Sequence, residues 1–155
     1  MATFTKFFPF VADVANKVHN LGSDTLKIAL FTSATAPTTA DGTFDTATTH
    51  QLNSSGSTEV ANGNGYTAGG TTVAITSSTQ TSGTYKLIPT ASSITWTATG
   101  AVSNIRYIVL YNATAGTSAA RPVIGWFDKG SSVTLANTDT FVATLDTTNG
   151  LLQLA

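Results

Sequence analysis

Two histidines, one glutamate and seven aspartates are all the imidazoles and carboxylate side chains that this 155-residue chain offers to acid–base or metal chemistry. A nucleophilic triad needs a hydroxyl or thiol, an imidazole and a carboxylate assembled across the fold. Cysteine is absent, which removes thiolate chemistry and disulfides together. Serines are plentiful, but none stands in a G-x-S-x-G elbow, so the mere presence of the three residue types carries no weight. A glycosidase would use two carboxylates tuned apart, and the lone Glu59 among scattered aspartates offers no such pair. His19 falls at the end of a helical pattern, where positive charge suits the carbonyl end, and no other ligand stands at metal-binding spacing from it. His50 reads as a solvated loop residue. Asp41 and Asp45, in DGTFD, could offer oxygens to calcium, but EF-hand spacing is missing and a plain turn is expected. The residues therefore lead to an expectation of no metal, no cofactor and no enzymatic role.

The glycine-rich stretch 62–75, NGNGYTAGGTTVAI, poses the sharpest alternative. A dinucleotide fingerprint places its glycines after a strand and at the mouth of a helix, so that the helix N-terminus faces phosphate. Here Gly63, Gly65, Gly69 and Gly70 have the wrong spacing, a strand pattern follows, and Thr71 stands where a Walker loop needs lysine. The expectation is structural. Asn62, Gly63, Asn64 and Gly65 supply left-handed backbone for tight turns, and Gly69 with Gly70 lets the chain pack closely before a strand.

Charge narrows the classes further. Asp, Glu, Lys and Arg make up 10% of the chain, against roughly 25% in ordinary soluble domains. Threonine fills about a fifth of it, and a branched β-carbon favours strand over helix. The seven basic residues are scattered singly, which disfavours nucleic acid as a partner. No apolar run is long enough to span a bilayer. In MATFTKFFPFVADVANK the apolar stretch is broken by Pro9, Asp13 and Lys17, so no cleaved leader is expected. A surface so poor in charge suits a protein covered by neighbours in an assembly.

The elements that must position these residues follow from periodicity. Val11, Val14, Ala15, Val18 and Leu21 share one face of a helix expected from Pro9 to Asn20, with Asp13, Asn16 and Lys17 opposite and Gly22 as the stop. Strands are expected at Thr25 to Thr32, Thr71 to Ser77, Thr84 to Pro89, Ser93 to Thr99, Ile105 to Tyr111, Pro122 to Phe127, Ser132 to Leu135, Thr140 to Asp146 and Leu151 to Leu154. The run IRYIVLY reads as a central buried strand. Gly116 and Gly130 mark turns, and Asn149-Gly150 signals a hairpin. The polar connection from Ser33 to Gly70 is too long to lack structure or function. The fold class expected is mainly β, an antiparallel, jelly-roll-like β-sandwich with one N-terminal helix. Residues 1–22 form an arm and helix, and 23–155 a single sandwich domain. Trp96 and Trp126 fall in strand patterns and read as core or interface in preference to sugar-stacking platforms. Phe4, Phe7, Phe8 and Phe10 exceed what one helix face can bury. They are candidates either for a partner interface or for plugging the open end of the sandwich.

Several segments resemble a known family. FVADVANKVHNLGSDTLKIAL, ANGNGYTAGGTTV and GWFDKGSSVTLANTDTFVATLDTTNGLLQLA, above all the motifs VHNLGSDTLK and GNGYTAGGTT, are similar to small virion structural proteins of tailed bacteriophages. The likeness covers both ends and the middle of the chain, while Thr35 to Glu59 is longer and richer in threonine than the family pattern. It implies a virion component without enzymatic role. The expectation is a capsid decoration (cement) protein, made in the host cytoplasm and lying on the outer surface of the phage head. Its partner would be the major capsid protein, its oligomer a trimer, and Phe4, Phe7, Phe8 and Phe10 its contact residues. A tail or fibre component is the alternative, and a carbohydrate-binding module using Trp96 or Trp126 a more distant one.

Overall fold

The structure, a computed structural model, describes residues 3–45, 50–116 and 120–155. In chain order the first elements are β1 (Thr3–Lys6), α1 (Pro9–Ala15), β2 (Leu26–Thr32), β3 (Thr43–Asp45), β4 (Gln51–Leu52), β5 (Thr71–Val73) and β6 (Ile75–Thr81). They are followed by β7 (Thr84–Pro89), β8 (Ser93–Thr97), β9 (Val102–Asn112), β10 (Ala120–Leu135), β11 (Thr140–Thr144) and β12 (Leu152–Leu154). The protein is mainly β, its strand pairs antiparallel, arranged as a sandwich with one N-terminal helix.

Apolar alternation places β2 and β9 at the centre of the largest sheet, ordered β4-β3-β10-β9-β2-β5, with β1 added on β10. Ala29 stands opposite Val109 and Leu30 opposite Ile108. Leu26, Ile28, Leu30, Ile105 and Leu110 turn to one face and meet Leu87, Trp96, Phe141 and Leu152, which come from the smaller sheets β12-β7-β6 and β11-β8. This is the main core. The opposite face is covered as well: Ala29, Phe31, Val109, Tyr111 and Val123 pack against Phe7, Phe44 and Leu52. The cover comes from the N-terminal arm and from the 33–70 connection.

That connection has structure of its own. β3 pairs with β10, placing Phe44 opposite Arg121, and β4 pairs with β3, placing Leu52 opposite Phe44. Phe44 is fully buried, stacked on Tyr111 with ring centres 4.1 Å apart. Such a pair contributes about 0.5–1.5 kcal/mol beyond the area it buries. Asp41, also fully buried, knots the turn. Its Oδ1 accepts the N–H groups of Ser54 (2.9 Å) and Ser55 (2.7 Å), and its Oδ2 that of Thr38 (2.8 Å). The oxygens that could have faced calcium are directed at amides; the side chain of Asp45 lies outside the described residues.

Four elements depart from the sequence expectation. The helix ends at Ala15, five residues early, because Lys17 adopts a left-handed φ of 62°. Lys17 N–H donates to Val14 O and Val18 N–H to Asp13 O, a Schellman closure with lysine in the usual place of glycine. Val18 falls beyond the helix and stays exposed, and Val11, within it, is exposed as well, the buried side of α1 being that of Phe10. The two strands expected between Pro122 and Leu135 are one, β10, carrying a register shift between Asp128 and Val133 where Gly130 sits at φ 91°. Thr71 to Ser77 is divided between β5, in the large sheet, and β6, in the three-stranded one. Asn149-Gly150 joins no hairpin, since β11 pairs with β8 and β12 with β7. Asp146 organises that turn instead, accepting N–H groups from Thr148 and Asn149. Within the arm at residues 1–22, β1 pairs with β10 through Phe4–Phe127 and Thr5–Trp126.

Candidate functional site

The titratable groups that sequence reading left apart are brought together on the covered face of the large sheet. Glu59, from the connection, is buried at 8% exposure. Its Oε1 accepts the Tyr66 hydroxyl at 2.5 Å and the Gly69 N–H at 2.8 Å. Its Oε2 lies 3.6 Å from His50 Nε2. Arg121, from β10, reaches His50 Nδ1 at 3.3 Å and the Tyr111 hydroxyl at 3.2 Å, and its guanidinium lies 4.9 Å from the ring centres of both Phe44 and Tyr111. The Tyr111 hydroxyl donates to Gly69 O at 2.7 Å. His50 is thus no solvated loop residue: it packs on Phe44 with ring centres 4.6 Å apart.

Burial dominates the electrostatics of this cluster. It raises the Glu59 carboxyl from its ordinary 4.5 to about 7, against the opposing pull of the Tyr66 and Gly69 hydrogen bonds and of Arg121 and Lys27. Burial likewise pushes the Tyr111 hydroxyl up to about 12 and that of Tyr66 higher still, with Glu59 adding to the Tyr66 effect. A carboxyl near neutrality beside an imidazole is what a proton-transfer site requires. Here Oε1 accepts two donors from within the 33–70 connection, which the Tyr111–Gly69 and Arg121–His50 contacts tie to β9 and β10.

The glycine-rich stretch builds part of this cluster while acting as a turn. Gly63, Asn64, Gly65, Gly69 and Gly70 all have positive φ. Asn62 does not share that role; its side-chain oxygen accepts the Ala68 N–H. At Gly70 a β-carbon would collide with the Ile28 carbonyl, so only glycine lets the stretch run against β2. That close approach aims the Gly69 N–H at Glu59 and the Tyr66 hydroxyl between Glu59 and the Leu30 N–H.

The four phenylalanines divide. Phe7 and Phe10 are buried in the chain's own core, Phe7 against Trp126 with ring centres 4.6 Å apart. Phe4 is half-buried against Phe127. Phe7, in the link between β1 and α1, and Phe10, in α1, are thus turned inward in the single chain. Phe8 alone is open, at 67% exposure, accompanied by Val11 at 53% and Val18 at 39%. Between the arm and β12 runs an open groove of about 470 Å³ lined by Phe4, Phe10, Val11, Val14, Leu152 and Leu154, with Lys6 at its side.

Both tryptophans are core residues, Trp96 near Phe141 and Tyr66, Trp126 on the second face. His19 is buried beyond the helix end, in contact with Asn112 on β9, and is not a helix-terminal surface charge. Among the described residues no group of three or more His, Asp or Glu side chains is placed to hold a metal ion, and no helix is long and apolar enough to cross a membrane. Comparison of the chain with protein-family models, with curated proteins and with solved structures finds no match in any of the three.

Proposed function

We propose that this chain is a virion structural protein of a tailed bacteriophage, a decoration protein that binds the assembled head and stabilises it. The observation that carries the reading is the open groove lined by Phe4, Phe10, Val11, Val14, Leu152 and Leu154, with Phe8 exposed on the same arm, in a chain rich in threonine and poor in charge. An apolar patch of this kind marks a contact site. The resemblance carried by VHNLGSDTLK and GNGYTAGGTT points the same way, and both motifs fall on segments that build the core, through Leu21, Leu26 and Tyr66. Burial of Trp96 and Trp126 speaks against sugar stacking. The partner is the major capsid protein on the outer head surface, and a closed homotrimer would cover strand edges that a lone copy leaves open. Because such a protein binds only the assembled lattice, its binding energy adds directly to shell stability. No reaction is assigned to it.

The test is reconstitution. Purified protein is mixed with phage heads lacking it, and bound copies are located by low-dose electron imaging, alongside Phe8→Ser. Binding to heads that weakens in the variant supports the proposal. Labelling confined to tails replaces the head by the tail as its place, and a lone monomer that ignores particles defeats the virion reading altogether.

A further inference from the structure

Asn112 ends β9 fully buried, and its neighbours fix which end of its amide is which. The oxygen accepts the backbone N–H groups of Thr114 (2.9 Å) and Ala115 (3.1 Å). The nitrogen donates to Asp24 Oδ2 at 2.6 Å and stands 3.1 Å from His19 Nδ1. An amide nitrogen has only protons to offer, so His19 Nδ1 is an unprotonated acceptor and the neutral ring carries its proton on Nε2. That Nε2 is buried without a hydrogen-bond partner, 4.0 Å from Asp13 Oδ2. The Phe10 ring closes the remaining side at 5.1 Å.

We propose that the His19–Asn112 contact is an acid-sensitive latch between the end of the N-terminal arm and the turn that follows β9. A proton added at Nδ1 sets donor against donor. Asn112 has no alternative orientation that answers it. Turned over, its oxygen would satisfy the imidazolium, but its nitrogen would then face the N–H groups of Thr114 and Ala115, and Asp24 would lose its donor. Either way one set of bonds breaks. The disturbance has a route outward, because Asp24 also accepts the Asn20 N–H, Thr25 N–H donates to Thr114 Oγ1, and Ala113 N–H donates to Thr25 O.

The groups facing the ring are Asp13 and Phe10 from α1, Asp24 from the turn before β2, and Asn112 from β9. Burial disfavours the charged ring and outweighs the two carboxylates, which favour it, so its pKa lies below the ordinary 6.5. The latch is closed at neutral pH and opens on acidification below that value.

Nitrogen-15 and amide-exchange NMR on the full chain tests this. At neutral pH His19 should be the Nε2–H tautomer, with a titration midpoint below that of an ordinary histidine. Across that midpoint exchange at Thr114 and Ala115, taken relative to the intrinsic amide rate at each pH, should accelerate by about tenfold, the loss of roughly one hydrogen bond, while Ala29 and Val109 stay protected. In His19→Phe, whose ring keeps the contact with Phe10, the acceleration should vanish. An Nδ1–H tautomer, or exchange at 114 and 115 that ignores the His19 titration, overturns the latch using wild-type protein alone. Persistence of the acceleration in His19→Phe would do the same.

Discussion

Replacing Glu59 by glutamine should make the protein more stable in mild alkali, although it removes a buried charge hydrogen-bonded at both Tyr66 and Gly69. The carboxyl's proton affinity rises on folding from 4.5 to about 7, chiefly through burial. Below pH 4.5 both states hold the proton and nothing is lost. As pH rises the unfolded chain gives up its proton first, so stability falls until pH passes about 7. The interval is roughly 2.5 decades of affinity at about 1.4 kcal/mol each, about 3.5 kcal/mol in all, of which the part lost above pH 5 is close to 3. Glutamine keeps an oxygen for Tyr66 and Gly69 and has no proton to lose. Urea unfolding from pH 5 to pH 9 should therefore show wild type falling behind Glu59→Gln by about 3 kcal/mol across the series. His19, held below its ordinary value, works in the opposite sense, stabilising above pH 6.5 and losing that contribution as pH falls; it is common to both proteins and cancels in their difference. Repeating the series in a His50→Gln background separates the carboxyl from the adjacent imidazole. Parallel stability curves for the two proteins in both backgrounds would refute the reasoning.

Other outcomes follow from single contacts. Gly70→Ala should destabilise by about 1–3 kcal/mol, since its β-carbon meets the Ile28 carbonyl; thermal melts of Gly63→Ala, with positive φ but open space, give the strain-only comparison and should shift less. Asp41→Ala strips the acceptor from three backbone N–H groups, at about 1–3 kcal/mol, and exchange at Thr38, Ser54 and Ser55 should quicken. Phe8→Ser should leave stability within about 0.5 kcal/mol while weakening head binding by about tenfold, measured by urea unfolding and by co-sedimentation with particles.

The central strands were legible because Leu26, Ile28 and Leu30 alternate and because IRYIVLY is apolar throughout. What periodicity could not reveal was that Ala29 and Phe31, on the other side of β2, are equally buried. Their cover is Phe44 and Leu52, single apolar residues in strands of three and two residues, too short to show an alternation. The ionic cluster was illegible for a related reason. His50, Glu59, Tyr66, Tyr111 and Arg121 come from separate segments joined by pairing of β3 with β10 and β9 with β10, and no linear spacing links them. The one local hint was the glycine stretch, correctly read as a turn, whose close approach to β2 also delivers Gly69 to Glu59. The helix was overextended because valines at helical spacing continue past Lys17, and a lysine gives no sequence sign that it will close a helix.

The pairing of Phe4 with Phe127 has a consequence for how the chain is made. On the ribosome β1 has no partner until residues 125–128 have emerged, more than a hundred residues after it, so Phe4 waits for Phe127 through that interval. Closure of the sandwich is then a late, long-range event, slow by the standards of helical proteins. Residues 120–128 complete three partnerships at once, with β1, β3 and β9, and truncation before them would leave β1 unpaired and Phe4 without Phe127.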